Sequence, residues 1–138
     1  VGGGTGYAPL RAMLRQLGAA GDRRPVTLYW GARERQGLYE HDWLRSLEQA
    51  RPGFGYRPVL SAGEAAWQGR RGLVHEAVLA DHPDLSGFDV YASGPPAMIE
   101  AIRSDFTRHG LPREQLFFDS FDYAPDTLAA LQGGGSQA

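Results

Sequence analysis

Apolar residues along this chain switch repeatedly between two spacings. After glycines at positions 2, 3 and 4, Leu10, Met13, Leu14 and Leu17 recur at i, i+3, i+4 and i+7, the stripe of an amphipathic helix. Pro9 suits the first turn of that helix, and Gly18 and Gly21 suit its end. The β-rich run Val26, Thr27, Leu28, Tyr29 and Trp30 follows and closes on Gly31. Residues 38–47, with Trp43, Leu44 and Leu47, predict a second helix. Residues 56–60 predict a short strand, placed at a sheet edge because Pro58 cannot donate to a ladder. Leu73, Val74, Ala77 and Val78 share one face of a helix predicted over residues 72–79. Residues 88–93 read as the next strand, closed by Gly94, Pro95 and Pro96. Met98, Ile99, Ile102 and Phe106 mark a long helix ending near Gly110, and residues 116–118 make a last strand that alternates Phe117 and Phe118 into the core.

Strands that alternate with helices of this length need crossover connections, which produce a parallel sheet with helices on both faces. The expected fold is therefore α/β: a doubly wound, five-stranded parallel sheet with helices on both faces, Rossmann-like in architecture. Val1 runs directly into glycine, too little for a strand of about five residues, so the first strand is expected to be truncated and the chain to be part of a larger protein. Residues 1–124 are expected to form the domain and residues 125–138 a flexible tail, whose last seven residues are rich in glycine.

The length of 138 residues fits one core. A formal charge of −2 supplies no field for nucleic acid or an anionic membrane. The absence of cysteine excludes disulfides, a thiol nucleophile and a cysteine-ligated cluster within these residues. No apolar run approaches the ~20 residues of a membrane span, and a cytoplasmic setting is expected. His41, His75, His82 and His109 show no metal-ligand spacing, so no metal site is expected.

Chemistry concentrates at two turns. Gly4, Thr5, Gly6, Tyr7, Ala8 and Pro9 make a G-x-G-x-x-P turn between a strand end and a helix start, where glycines let backbone amides approach a pyrophosphate. Proline stands in place of the third glycine of the usual dinucleotide fingerprint, and Gly31, Ala32 and Arg33 replace the acidic ribose ligand expected after the second strand. Ser93, Gly94, Pro95, Pro96 and Met98 form the second turn. Strands one and four commonly flank the topological switch point, so the two turns are placed to bracket one extended ligand.

Five ordered segments carry a resemblance: GGGTGYAPLRAML at residues 2–14, LYWGARE at 28–34, WQGRRGLVHEAV at 67–78, VYASGPPAM at 90–98 and LFFDSF at 116–121. They resemble the NAD(P)-binding half of the ferredoxin–NADP reductase superfamily, in the manner of oxygenase reductase components, CDP-6-deoxy-glucoseen reductases and NAD(P)H:flavin reductases. That resemblance implies hydride transfer from nicotinamide to a flavin, FAD or FMN, held mainly by a domain outside this chain. Electrons then pass to a [2Fe-2S] ferredoxin domain or an oxygenase component. The family's functions carry over to Gly4, Thr5 and Gly6 at the pyrophosphate and to residues 93–96 beside the nicotinamide. Ser93 stands where cysteine is commonest, and Phe121 corresponds to an aromatic that approaches the flavin, with Tyr123 a competing aromatic. Both Ser93 and Phe121 are assigned catalytic roles.

NADPH-specific relatives carry Ser-Arg after the third strand. Here Ser61 is followed by Ala62, so NADH is favoured, with Arg33, Arg70 and Arg71 still candidates for a phosphate. Alternative readings are a reductase that supplies free reduced flavin and a non-catalytic nucleotide-binding module. No nucleic-acid or membrane partner is expected, and the chain alone is expected to be inactive.

Overall fold

The computed structural model describes residues 1–62 and 65–120. Phe121, Tyr123 and the tail therefore lie outside the described residues. Six strands, β1 (Gly2–Gly3), β2 (Val26–Ala32), β3 (Phe54–Leu60), β4 (Arg70–Arg71), β5 (Val90–Gly94) and β6 (Leu116–Ser120), form one sheet in the order β4-β3-β2-β1-β5-β6. Every pairing is parallel. Four helices make the crossovers: α1 (Tyr7–Ala19), α2 (His41–Ala50), α3 (Val74–Asp81) and α4 (Pro96–Arg108).

Each face of the sheet closes its own core because side chains alternate along the strands. Leu28 and Trp30 of β2 join Phe54, Tyr56 and Leu60 of β3 against Tyr7, Leu10 and Leu14 of α1 and Leu44 of α2. Tyr29 and Val59 face the opposite way, with Val90 and Ala92, against Val74, Ala77 and Val78 of α3 and Ile99, Ile102 and Phe106 of α4.

The sheet has six strands where the apolar pattern predicts five. The addition, β4, is two arginines with no β-propensity, and it exists only because Val59 and Leu60 pair with Arg70 and Arg71. It displaces β3 from the edge position predicted from Pro58. That proline is nevertheless accommodated, since β4 pairs no further back along β3 than Val59. The alternation along the last strand predicts Phe117 and Phe118 in the core, yet both are exposed. β6 is the edge strand of the sheet among the described residues, so they have a neighbouring strand on one side only. Phe117 stacks on Tyr91 with ring centroids 4.8 Å apart, while the guanidinium of Arg103 covers Phe118.

Strand order reverses between β1 and β5, which are hydrogen-bonded neighbours through Gly2 and Ser93. Ligands of open α/β sheets bind outside the carboxyl ends of the strands at such a reversal. Among the described residues no helix is long and apolar enough to cross a membrane.

Candidate functional site

At that reversal the carboxyl ends of the strands open into a cleft of about 510 Å³. Its lining comes from the β1–α1 turn (Gly3, Gly4, Thr5, Gly6), the ends of β2 and β3 (Gly31, Ala32, Arg33, Ser61), the start of α3 and the start of α4.

The β1–α1 turn is a short 3-10 segment, Gly4–Gly6, that runs straight into α1. Gly4 sits at φ +56, in the left-handed region that favours glycine. Gly6 is fixed by contact instead: a β-carbon there would stand 2.1 Å from the carbonyl oxygen of Ser93. The close helix–sheet approach that a third fingerprint glycine usually permits is thus supplied by Gly6, which leaves Pro9 free to occupy the first turn of α1. Beneath the turn, the indole N–H of Trp30 donates to the Gly4 carbonyl at 2.9 Å, and the ring stacks on Tyr7 at 4.0 Å between centroids. The Tyr7 hydroxyl donates to Glu40 Oε1 at 2.7 Å, and Arg11 Nε donates to the same oxygen at 2.8 Å. Burial, together with the Glu40 carboxylate, keeps the Tyr7 phenol protonated well above its usual range.

Opposite the turn, α3 and α4 begin with no side-chain cap. The first amides of a helix lack intrahelical acceptors and carry a partial positive charge. Val74 and His75 of α3, and Ala97 and Met98 of α4, line the cleft at those positions. Gly31 admits α3, since a β-carbon there would lie 2.8 Å from Val74 Cβ. Gly72, at φ +110, turns the chain from β4 into α3. The Met98 thioether lies over Gly3 and Gly94, where added β-carbons would meet it at 2.5 and 2.6 Å. His75 Nε2 lies 3.2 Å from Asp105 Oδ2, tying α3 to α4 behind the cleft. Arg33 lines the cleft, and among the described residues no carboxylate does. Backbone amides, two helix starts and one guanidinium make a surface suited to an anion lying along the strand ends.

The structure brings ten of the sequence-predicted residues to this cleft: Gly4, Thr5, Gly6, Gly31, Ala32, Arg33, Ser61, Gly94, Pro95 and Met98. Tyr7, Pro9, Ser93 and Pro96 do not line it. Tyr7 is part of the core, and Ser93, 1% exposed, has a hydroxyl with no hydrogen-bond partner among the described residues. Arg70 and Arg71 turn elsewhere: Arg70 donates to the Ala77 carbonyl and pairs with Asp81, and Arg71 donates to the Trp67 carbonyl. Sequence reasoning missed Gly3, the α3 start at residues 72–75, Ala97 and Ala101. The run WQGRRGLVHEAV carries a family signal for the α3 start, but within it the sequence singles out Arg70 and Arg71 as phosphate candidates and not residues 72–75.

A parallel sheet whose reversal point holds an anion-accepting cleft between glycine turns defines a nucleotide-binding domain of the doubly wound class. The chain belongs to the oxidoreductase NAD-binding domain family, whose model matches residues 1–104. It is 44% identical over 119 residues to a CDP-6-deoxy-L-threo-D-glycero-4-hexulose-3-dehydrase reductase of Yersinia pestis, covering 86% of this chain and 36% of that protein. It is 35% identical over 121 residues to the ferredoxin–NAD(P)(+) reductase component of naphthalene 1,2-dioxygenase/salicylate 5-hydroxylase systems of a Ralstonia species, covering 88% and 37%. Among solved structures, the cytochrome P450 reductase GcoB of Amycolatopsis superposes with a TM-score of 0.78 at 35% identity, covering 87% of this chain and 36% of that one. The chain thus spans little more than a third of the length of these relatives.

Proposed function

We propose that residues 1–124 form the NAD(P)H-binding unit of a flavoprotein reductase, presenting the nicotinamide to a flavin, FAD in the first instance, held by a second domain. Electrons then pass to a [2Fe-2S] ferredoxin domain or an oxygenase component. The observation that carries this reading is the backbone contact between Gly6 and Ser93, which joins the two glycine turns into one cleft floor at the strand reversal. When bound, reduced nicotinamide supplies the hydride. The protein's part is orientation and exclusion of water, with no side chain needed as a proton acceptor.

In this reading the amides of residues 4–6 and the starts of α3 and α4 hold the diphosphate. The turn at residues 93–96 flanks the nicotinamide, with Phe121 toward the flavin. Ser93 acts from beneath the turn through its backbone, because its side chain is buried. NADH is favoured over NADPH. Arg70 and Arg71 are engaged with protein partners, leaving Arg33 as the guanidinium among the described lining residues to meet a 2′-phosphate. The setting is the cytoplasm, and neither nucleic acid nor membrane is a partner.

The test is the visible spectrum and dye-coupled turnover of the polypeptide as the cell makes it. Flavin bands and faster dye reduction with NADH than with NADPH are expected. A colourless polypeptide that turns over neither nucleotide would contradict the reading, and turnover only on added free flavin would assign it to the free-flavin reductases instead.

A further inference from the structure

We propose that Trp30 is a positioning residue for the diphosphate: its indole N–H holds the Gly4 carbonyl and so aims the Thr5 amide into the cleft. This rests on the dinucleotide reading of the cleft and assigns a role to a side chain outside its lining. The β1–α1 turn is only three residues long, and Gly4, without a β-carbon, imposes little steric resistance to rotation of the peptide that follows it. That peptide is held from its carbonyl end. The Gly4 oxygen accepts the Tyr7 amide, which closes the turn, and the indole N–H of Trp30 at 2.9 Å. In a trans peptide the C=O and N–H point in opposite directions. Drawing the Gly4 oxygen down onto the buried indole therefore turns the Thr5 N–H outward, and Thr5 lines the cleft. Without the indole only the Tyr7 amide holds that carbonyl, which is then freer to swing outward and present a negative dipole where an anion has to lie.

The donor itself is braced. Trp30 is completely buried, stacked on Tyr7 with its plane tilted by 16°, and Tyr39 meets both rings edge-on. Tyr7 is in turn held by Glu40, immediately before α2, and Glu40 by Arg11 of α1. A chain of contacts thus runs from α2 through Tyr7 to the turn. An indole N–H can only donate, so it cannot exchange this role for that of an acceptor.

Trp30→Phe keeps an aromatic ring against Tyr7 and deletes the donor. The probes are ADP-ribose, which carries the diphosphate, measured by calorimetry, and adenosine, which lacks it, measured by NMR titration of the same chain. ADP-ribose is expected to bind about tenfold more weakly to the variant and adenosine equally well, with the melting profile still cooperative. Unchanged ADP-ribose affinity would overturn the inference, as would equal weakening of both probes, which is the mark of general loosening. A wild-type chain that binds no ADP-ribose would overturn the dinucleotide reading and this inference with it. If Trp30→Phe does not fold, installing the benzothiophene analogue of tryptophan at position 30 replaces N–H by sulfur in a ring of nearly the same shape, and the same outcomes apply.

Discussion

Gly6 and Ser93 touch through their backbones, so closely that a β-carbon on Gly6 would overlap the Ser93 carbonyl oxygen at 2.1 Å. They lie in different crossover units, 87 residues apart in sequence, and their contact sets the spacing of the two turns that form the cleft floor.

Gly6→Ala should therefore be severe. The backbone has to move to relieve the overlap, at a cost of about 3 kcal/mol or more, and nucleotide binding should be lost with it. Gly18→Ala is the matched control: it lies in α1, a β-carbon there meets nothing within 4 Å, and it should stabilise by about 0.5 kcal/mol. Urea denaturation of the two variants measures both effects.

Ser93 contributes an opposite expectation. Its hydroxyl is buried without a partner among the described residues, a condition that costs about 1–3 kcal/mol relative to a satisfied or apolar group. Ser93→Cys and Ser93→Ala should each raise the melting temperature by a few degrees. A drop in melting temperature for both would show that the hydroxyl is satisfied in solution.

Glu40 gives the acid limb of stability a local origin. Burial by itself raises its pKa, but hydrogen bonds from Tyr7 and Arg11 and the charge of Arg11 outweigh this and hold it below the usual 4.5. A carboxyl depressed in the folded state contributes stability that is present above 4.5 and lost as pH falls through its folded value. Glu40→Gln should cost about 1 kcal/mol near pH 7, a figure reduced for partial exposure, and the gap between the two proteins should close as pH falls through the folded-state value below 4.5. Denaturation midpoints followed from neutral to acid pH test this.

Nucleotide preference should respond to one residue beside Ser61. Ala62→Arg restores the Ser-Arg pair of NADPH-specific relatives, and one charge-assisted contact of about 1.4 kcal/mol corresponds to roughly tenfold tighter NADPH binding. NADH affinity should stay unchanged. Paired titrations of the variant with the two nucleotides are the check.

The repeating pattern of Leu10 and Leu14, of the β2 run and of Ile99, Ile102 and Phe106 made the sheet and helices legible, because burial on one face leaves a periodic trace. The two glycine turns were legible for the same local reason. What stayed hidden depended on contacts distant in sequence. Arg70 and Arg71 form a strand only beside Val59 and Leu60, and Phe117 and Phe118 look like core residues until β6 proves to be an edge. Val74 and His75 reach the cleft because Gly72 turns the chain there, and nothing in their side chains announces it. Tyr7 sits inside the G-x-G-x-x-P motif and yet belongs to the core, since helix periodicity rotates it away from the ligand side toward Trp30.

The most direct test of the central claim is a titration of NADH into the isotopically labelled chain, followed by amide NMR shifts residue by residue. The account predicts saturable shifts concentrated at residues 3–6, 31–33 and 72–75 and at Gly94, Ala97 and Met98. Saturable binding with its shifts elsewhere, or no shifts at all, would contradict it.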